Sequence, residues 1–318
     1  MISLGMEFYL GGMWWFIFLA SSLVLFPIFY FIFRKRTYRT QWVFLFTLLI
    51  INFITHIAAP FYIDIGVEHS WRRILLNNIC AVNVFLFPII FLTRSNFLKI
   101  SIICLGFVSG LVSLITAEPI VNGVVFQYAN PDANLDLLFF LETARFYFQH
   151  AVLWLVPCLM LAWGHYKIKV KHLWMPALYL TGIFFIIIAN DVIAYTLGLQ
   201  PTLDYYNGGM QWAPHDSFRV FFDFLLIPLF TTVPFGPNAG TEMLWPIIYI
   251  IPAVLLYMTA VSFVVYLLDR TLFRLMRGGK YAPCCDETPQ RCANCKKGSL
   301  RKKNLCGLKG EGRSSIRR

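Results

Sequence analysis

Glu142-Thr-Ala-Arg145-Phe-Tyr-Phe-Gln149-His150 puts five polar or ionisable side chains into nine residues of a stretch that is otherwise apolar. Within a membrane each charge costs about 2.5–3.5 kcal/mol on insertion scales, so such groups normally face partners, water or a substrate. A second apolar stretch carries Asn77, Asn78, Cys80 and Asn83, and a third carries Asn190-Asp191. Together they suggest a polar chamber inside a bundle. An imidazole near a cysteine promotes the thiolate, and a thiolate attacks acyl carbonyls. His150 is the candidate base and Cys80 the candidate nucleophile. Asn77 or Asn83 would donate to the developing oxyanion.

A purely structural reading competes with each of these roles. Buried cysteines commonly act as small hydrophobes, and Cys104 and Cys158, with no polar neighbours on their helices, fit that reading. A buried neutral histidine often does no more than bond a neighbouring carbonyl. Glu142, Arg145 and Gln149 follow an i, i+3, i+7 pattern and share a stripe, so Glu142 and Arg145 can neutralise one another within their own helix. His150 flanks that stripe, and Asn77, Cys80 and Asn83 share a face of their own. On the residues alone both readings stand.

The elements that must hold these groups are membrane helices. Of 318 residues, 58% are hydrophobic and 14% charged, with 31 phenylalanines. Soluble domains average about 25% charged residues, so the composition describes a multipass membrane protein. Seven apolar segments are each long enough for a hydrocarbon core of about 30 Å: residues 12–33, 41–63, 73–93, 97–117, 137–163, 173–198 and 243–269. The expected fold is all-α, a seven-helix domain over residues 1–270 followed by a basic, disordered tail over 271–318. The first segment has no basic leader, Glu7 being the only charge before it, and reads as a span and not a cleavable signal. No internal repeat of the transporter kind stands out.

The net charge of +11 does not point to nucleic acid, because 14 of the 27 Lys and Arg fall at or after Arg270. The rest separate cleanly. Arg34, Lys35, Arg36 and Arg39 follow the first segment, Arg94 and Lys99 the third, and Lys167, Lys169 and Lys171 the fifth. The alternate loops hold only Arg72, Arg73 and Arg219 and are acidic. The positive-inside rule then expects the N-terminus outside and the tail in the cytoplasm, against anionic lipid. In that orientation His150 lies about 13 residues into its helix, ~20 Å deep, and Cys80 ~10 Å deep. Asn190-Asp191 sits near the outer end of its own helix, so all three groups fall in the outer half.

In the outer loop 199–242, the run from Phe218 to Val233 is too short to span and carries Arg219 and Asp223. It reads as an interfacial or re-entrant helix over about 217–231 in preference to an eighth span. His215-Asp216 is a weaker acid/base pair in the same loop. In the tail, Cys292-x-x-Cys295 has zinc-like spacing that Cys284 or Cys285 with Cys306 would complete. Palmitoylation of the Cys284-Cys285 pair is the other reading. Free thiols in a reducing cytosol are the default, so neither a metal nor a cofactor is expected.

On two of its helices the chain resembles the transmembrane protein 164/YwaF-like integral membrane family. One match is Glu142-x-x-Arg-Phe-Tyr-Phe-Gln149-His150-x-x-Leu-x-x-Val-Pro157, and the other is Asn77-Asn-Ile-Cys80-Ala-Val-Asn83. The resemblance covers about residues 40–200. It implies a cysteine-centred acyltransferase that moves an acyl chain from a phospholipid to a lysophospholipid without acyl-CoA, with Cys80 as nucleophile and His150 as base. Glu142, Arg145, Gln149, Asn77, Asn83, Asn190 and Asp191 would then support the chamber or bind the headgroup. A transporter or channel with Glu142, Arg145 and Asp191 at the midplane is the alternative, and a non-catalytic scaffold the third reading. The host membrane would be the plasma membrane of a bacterium, or the endoplasmic reticulum or Golgi of a eukaryote.

Overall fold

The computed structural model describes residues 11–62, 76, 79–93, 95–116, 135–197, 229–232, 240, 242–245 and 247–278. Its helices are α1 (Met13–Phe33), α2 (Tyr38–Tyr62), α3 (Ile79–Leu92), α4 (Asn96–Thr116), α5 (Leu135–Ala162), α6 (Met175–Thr196), α7 (Ile247–Arg270) and the short α8 (Leu272–Met276). Six stretches among the described residues are helical, long and apolar enough to cross a membrane, and α3 is a shorter apolar helix. The protein is an integral, multipass membrane protein whose membrane-crossing elements are all helices.

Two segments depart from the expected boundaries. α3 holds 14 residues, about 21 Å of helix and short of the ~30 Å core. Apart from Leu76, the part of that segment before Ile79 lies outside the described residues, Asn77 and Asn78 included. In the loop after α6, Leu229–Thr232 (β1) and Glu242–Trp245 (β2) form an antiparallel pair in the register Leu229 to Trp245 and Thr232 to Glu242. The end of the expected interfacial helix is therefore a strand, and residues 217–228 lie outside the described residues. Prolines 228 and 234 bracket a Thr-Thr-Val run, and β-branched residues between prolines disfavour a helix. β2 also takes the first residues expected of the seventh span.

α5 is the centre of the bundle, in contact with α1, α2, α3, α4 and α8. Only a helix wrapped by others can carry Glu142, Arg145, Gln149 and His150 without presenting them to lipid. The peripheral α1 instead turns Phe16, Val24, Phe31 and Ile32 outward.

α4 and α5 meet backbone to backbone at Gly106-x-x-x-Gly110. A Cβ on Gly110 would stand 2.6 Å from the Trp154 backbone nitrogen and 2.7 Å from the His150 carbonyl oxygen. On Gly106 it would stand 2.8 Å from the Leu153 carbonyl oxygen. Small residues at this spacing let helix backbones touch where no water drives association. The obstructing atoms are backbone and cannot rotate away. Gly110→Leu should therefore force α4 from α5 and cost at least ~2–3 kcal/mol. Thermal unfolding in detergent checks this; an unchanged midpoint would remove Gly110 from the packing argument.

One end of the bundle is laced by polar contacts. α5 stops in a Schellman turn, with Gly164 at φ 76°, the His165 N–H donating to the Met160 carbonyl at 2.8 Å and the Gly164 N–H to Leu161 at 3.1 Å. The turn directs His165 to Gln41, whose Oε1 accepts from its Nε2 at 2.9 Å, while the Tyr38 ring stacks on the imidazole. Gln41 donates on to the Phe33 carbonyl and Tyr166 to the Asn96 carbonyl. Ile168 donates to Asp269, and Tyr30 to the Met276 carbonyl. The connections after α1, α3, α5 and α7 thus meet at one end, as antiparallel neighbours require. These are the loops that carry the basic residues.

Burial, reinforced by the charge of Lys99, pulls the His165 pKa down to about 4. A histidine lowered in the folded state takes up its proton more readily on unfolding. Its contribution is therefore present above pH ~6.5 and is lost as pH falls towards 4. The unfolding midpoint should drop across that window in the native protein. His165→Phe, which keeps the stack on Tyr38, should flatten the drop.

Candidate active site

α5 presents Glu142, Arg145 and Gln149 as one hydrogen-bonded unit. The Arg145 guanidinium grips Glu142 with two donors, Nε to Oε2 at 2.5 Å and a second nitrogen to Oε1. Its third nitrogen donates to Gln149 Oε1 at 2.7 Å. The bidentate fork suits burial, where a half-satisfied charge is expensive. It also orients Gln149. With Oε1 held by Arg145, the amide must present its Nε2 to the far side, where that atom is buried and has no hydrogen-bond partner.

His150 is buried, its ring packed on Phe146 and its Nδ1 2.8 Å from the Phe146 carbonyl. A carbonyl only accepts, so the proton is on Nδ1 and Nε2 carries the lone pair. That is the tautomer a general base requires.

Cys80 opens α3 and is half-buried against α4, its sulfur 3.8 Å from the Ser113 hydroxyl, with Ser109 beside it. Its polar neighbours on α4 are serines, while Asn77 and Asn78, which precede it in the sequence, lie outside the described residues. Asn83, one turn along, is fully buried with both amide atoms unpaired. Ser113 is three residues from Gly110, whose Cα lies against the His150 carbonyl. The Cys80 sulfur and the His150 backbone carbonyl therefore abut neighbouring positions of α4, while the groups around the His150 imidazole are Phe146, Arg145 and His56.

The other expected groups are placed differently. Asn190 lies on α6, which packs on α4, α7 and α3, and its buried Nδ2 has no partner. Of Asp191 only the backbone is described. Asn77, His215-Asp216 and the tail cysteines Cys284, Cys285, Cys292, Cys295 and Cys306 lie outside the described residues. Among those described, no three His, Cys, Asp or Glu gather as a metal site.

The structure adds residues that sequence reasoning passed over. His56 of α2 sits beside Gln149 and within electrostatic reach of Arg145 and His150. Asn52, one turn earlier on α2, is buried with its Oδ1 unpaired. The two share a face at i, i+4, and two lone polar residues in an apolar helix were the available signal. Ser109 and Ser113 escaped because isolated serines are common in membrane helices.

Residues 8–206 match the TMEM164 family. The chain belongs to the TMEM164 family. The match takes in α1 to α6, and with them Cys80, His56, Ser113 and the whole Glu142–His150 run, but not β1, β2, α7 or the tail. No curated protein matches the chain. No solved structure matches it either.

Proposed function

We propose that this TMEM164-family protein is a membrane acyltransferase that moves an acyl chain between a phospholipid and a lysophospholipid through a thioester on Cys80. The observation that supports the reading is the tautomer of His150, whose Nδ1 donates to the Phe146 carbonyl and leaves Nε2 to take a proton, on a helix packed against the α4 segment that holds Ser109 and Ser113 beside Cys80.

The chemistry closes without a cofactor. His150 Nε2 takes the Cys80 proton, and the thiolate attacks the ester carbonyl of the donor lipid. The carbon–sulfur bond forms, the ester carbon–oxygen bond breaks, and the leaving oxygen takes the proton from His150. In the second half a lysophospholipid hydroxyl gives its proton to His150 and attacks the thioester. A new ester forms, the carbon–sulfur bond breaks, and the thiolate recovers the proton. One acyl group has moved and nothing is oxidised or reduced.

Glu142 and Arg145 support this chemistry as orienting groups, since each is engaged by the other and Arg145 also holds Gln149. The basic connections and tail would lie on the cytoplasmic face against anionic lipid, with the N-terminus outside. The test is reconstitution of the full chain with an acyl-labelled phospholipid and an unlabelled lysophospholipid, with acid quenching to trap label on the protein. Label on Cys80 that chases into the lysophospholipid supports the reading. Transfer with no label ever on Cys80 overturns it.

A further inference from the structure

Hydroxyls on membrane helices commonly satisfy themselves by donating to a carbonyl one turn back. On α4, Ser101 donates to the Phe97 carbonyl at 2.8 Å and Thr116 to the Val112 carbonyl at 3.0 Å. Ser22 and Ser262 do the same on α1 and α7. Ser109 and Ser113 do not. Among the described residues the one hydrogen bond of the Ser113 hydroxyl is with the Cys80 sulfur, at 3.8 Å. The buried Ser109 Oγ bonds no carbonyl, and its interaction is with the same sulfur. The two serines stand at i, i+4 on one face of α4, so a single sulfur on α3 can meet both.

This arrangement fits one charge state of the sulfur. A thiol sulfur is a weak acceptor with a single weak S–H to give, so two hydroxyls sharing it are poorly matched. A thiolate accepts from both, in charge-assisted bonds roughly twice as strong as neutral ones. Cys80 also lies in the first turn of α3, Leu76 being outside the helix. There the free N–H groups and the helix dipole favour negative charge. Gly110, between the two serines, anchors α4 against the α5 backbone.

We propose that Ser109 and Ser113 form a hydroxyl cradle that holds the Cys80 sulfur as its thiolate and so activates it. The cradle deepens the acyl-transfer reading and rests on it only for what the sulfur attacks. Under that reading the thiol proton goes to His150 and the serine protons stay on their own oxygens.

The full-length protein in nanodiscs of diether phosphatidylcholine, which has no acyl ester to donate, is treated with iodoacetamide at neutral pH. The thiolate forms a carbon–sulfur bond and releases iodide, and mass spectrometry follows the Cys80 peptide. Native Cys80 should react far faster than the fully buried Cys104. Ser109→Ala and Ser113→Ala keep the Cβ and should each slow the reaction about tenfold or more, as loss of a bond to a charged group requires. Ser113→Thr and Ser113→Val match one another in shape and differ in the hydroxyl, so access to the sulfur is held constant. The threonine variant should react at close to the native rate and the valine variant as slowly as alanine.

Equal rates in the threonine and valine variants, or native rates in both alanine variants, make the serines packing residues and overturn the proposal. A native Cys80 no faster than Cys104 overturns it as well. Slowed reaction in the alanine variants of a protein that never carries acyl label keeps the cradle and sinks the acyl-transfer reading. Native rates in those variants alongside normal acyl labelling do the reverse.

Discussion

Cys80→Ala in the full-length protein should abolish acyl labelling and lower transfer to lysophospholipid on the order of 10³-fold or more, with an unchanged unfolding midpoint. The stability expectation follows from the packing. Cys80 is half-buried at the start of a short helix, and its polar contact is a long 3.8 Å approach to Ser113, so alanine leaves little void. Cys104 and Cys158 are fully buried in the apolar core and serve as internal controls: their alanine variants should lose stability and keep the labelled intermediate. The same experiment separates the competing reading. A transporter whose polar groups bind a solute would retain flux in Cys80→Ala and lose it in Glu142→Gln. If Cys80→Ala keeps full transfer, the thioester mechanism fails.

Arg277→Met should destabilise the protein by about 3–5 kcal/mol, the largest effect expected outside the site. Arg277 follows α8 and folds back to donate to Asp269 Oδ1 at 2.8 Å, to the Asp269 carbonyl at 2.9 Å and to the Leu161 carbonyl at 2.6 Å. Those carbonyls lie in the last turns of α7 and α5, where helices leave acceptors unmatched and a cation is favoured. Asp269 is fully buried, and its other oxygen accepts from the Ile168 backbone. Removing the guanidinium leaves that carboxylate enclosed with a single backbone donor. The double variant Asp269→Leu, Arg277→Met removes both charges and should recover much of the loss, which a double-mutant cycle in thermal unfolding will show. Additive losses would mean that the pair is not the lock it resembles. Leu161 is 11 residues from His150, about 16 Å along α5, so the acyl-labelling step should survive either change at low temperature.

Some of this was legible in residue order and some was not. The hydrophobic runs announced a multipass bundle, because hydrocarbon allows only apolar, internally hydrogen-bonded segments to cross it. The i, i+3, i+7 spacing of Glu142, Arg145 and Gln149 placed them on one stripe, because helical geometry brings those positions together whatever surrounds them. The family likeness at the Cys80 and His150 motifs was also readable. Helix-internal contacts and hydropathy are local, and a sequence states local things directly.

What faces what across helices is not local. His56 and Asn52 lie in an apolar run broken otherwise only by threonines, and only the packing of α2 on α5 sets His56 beside Gln149. Gly106 and Gly110 read as two small residues until α5 lies against them and their missing Cβ atoms become the contact. Arg277 counted as one more basic residue near the tail, yet the turn before α8 carries it back to Asp269. The serines beside Cys80 came from α4, a helix with no charged residue except Lys99 to draw attention. The sequence by itself determined the membrane class, the spans of most helices and the polar stripe of α5. Tertiary structure alone decided which helix became the sheltered centre, which side chains met there and which polar atoms were left without a partner. The physical reason is that helices in lipid associate through shape and residual hydrogen bonding, and neither is written in the periodicity of any single helix.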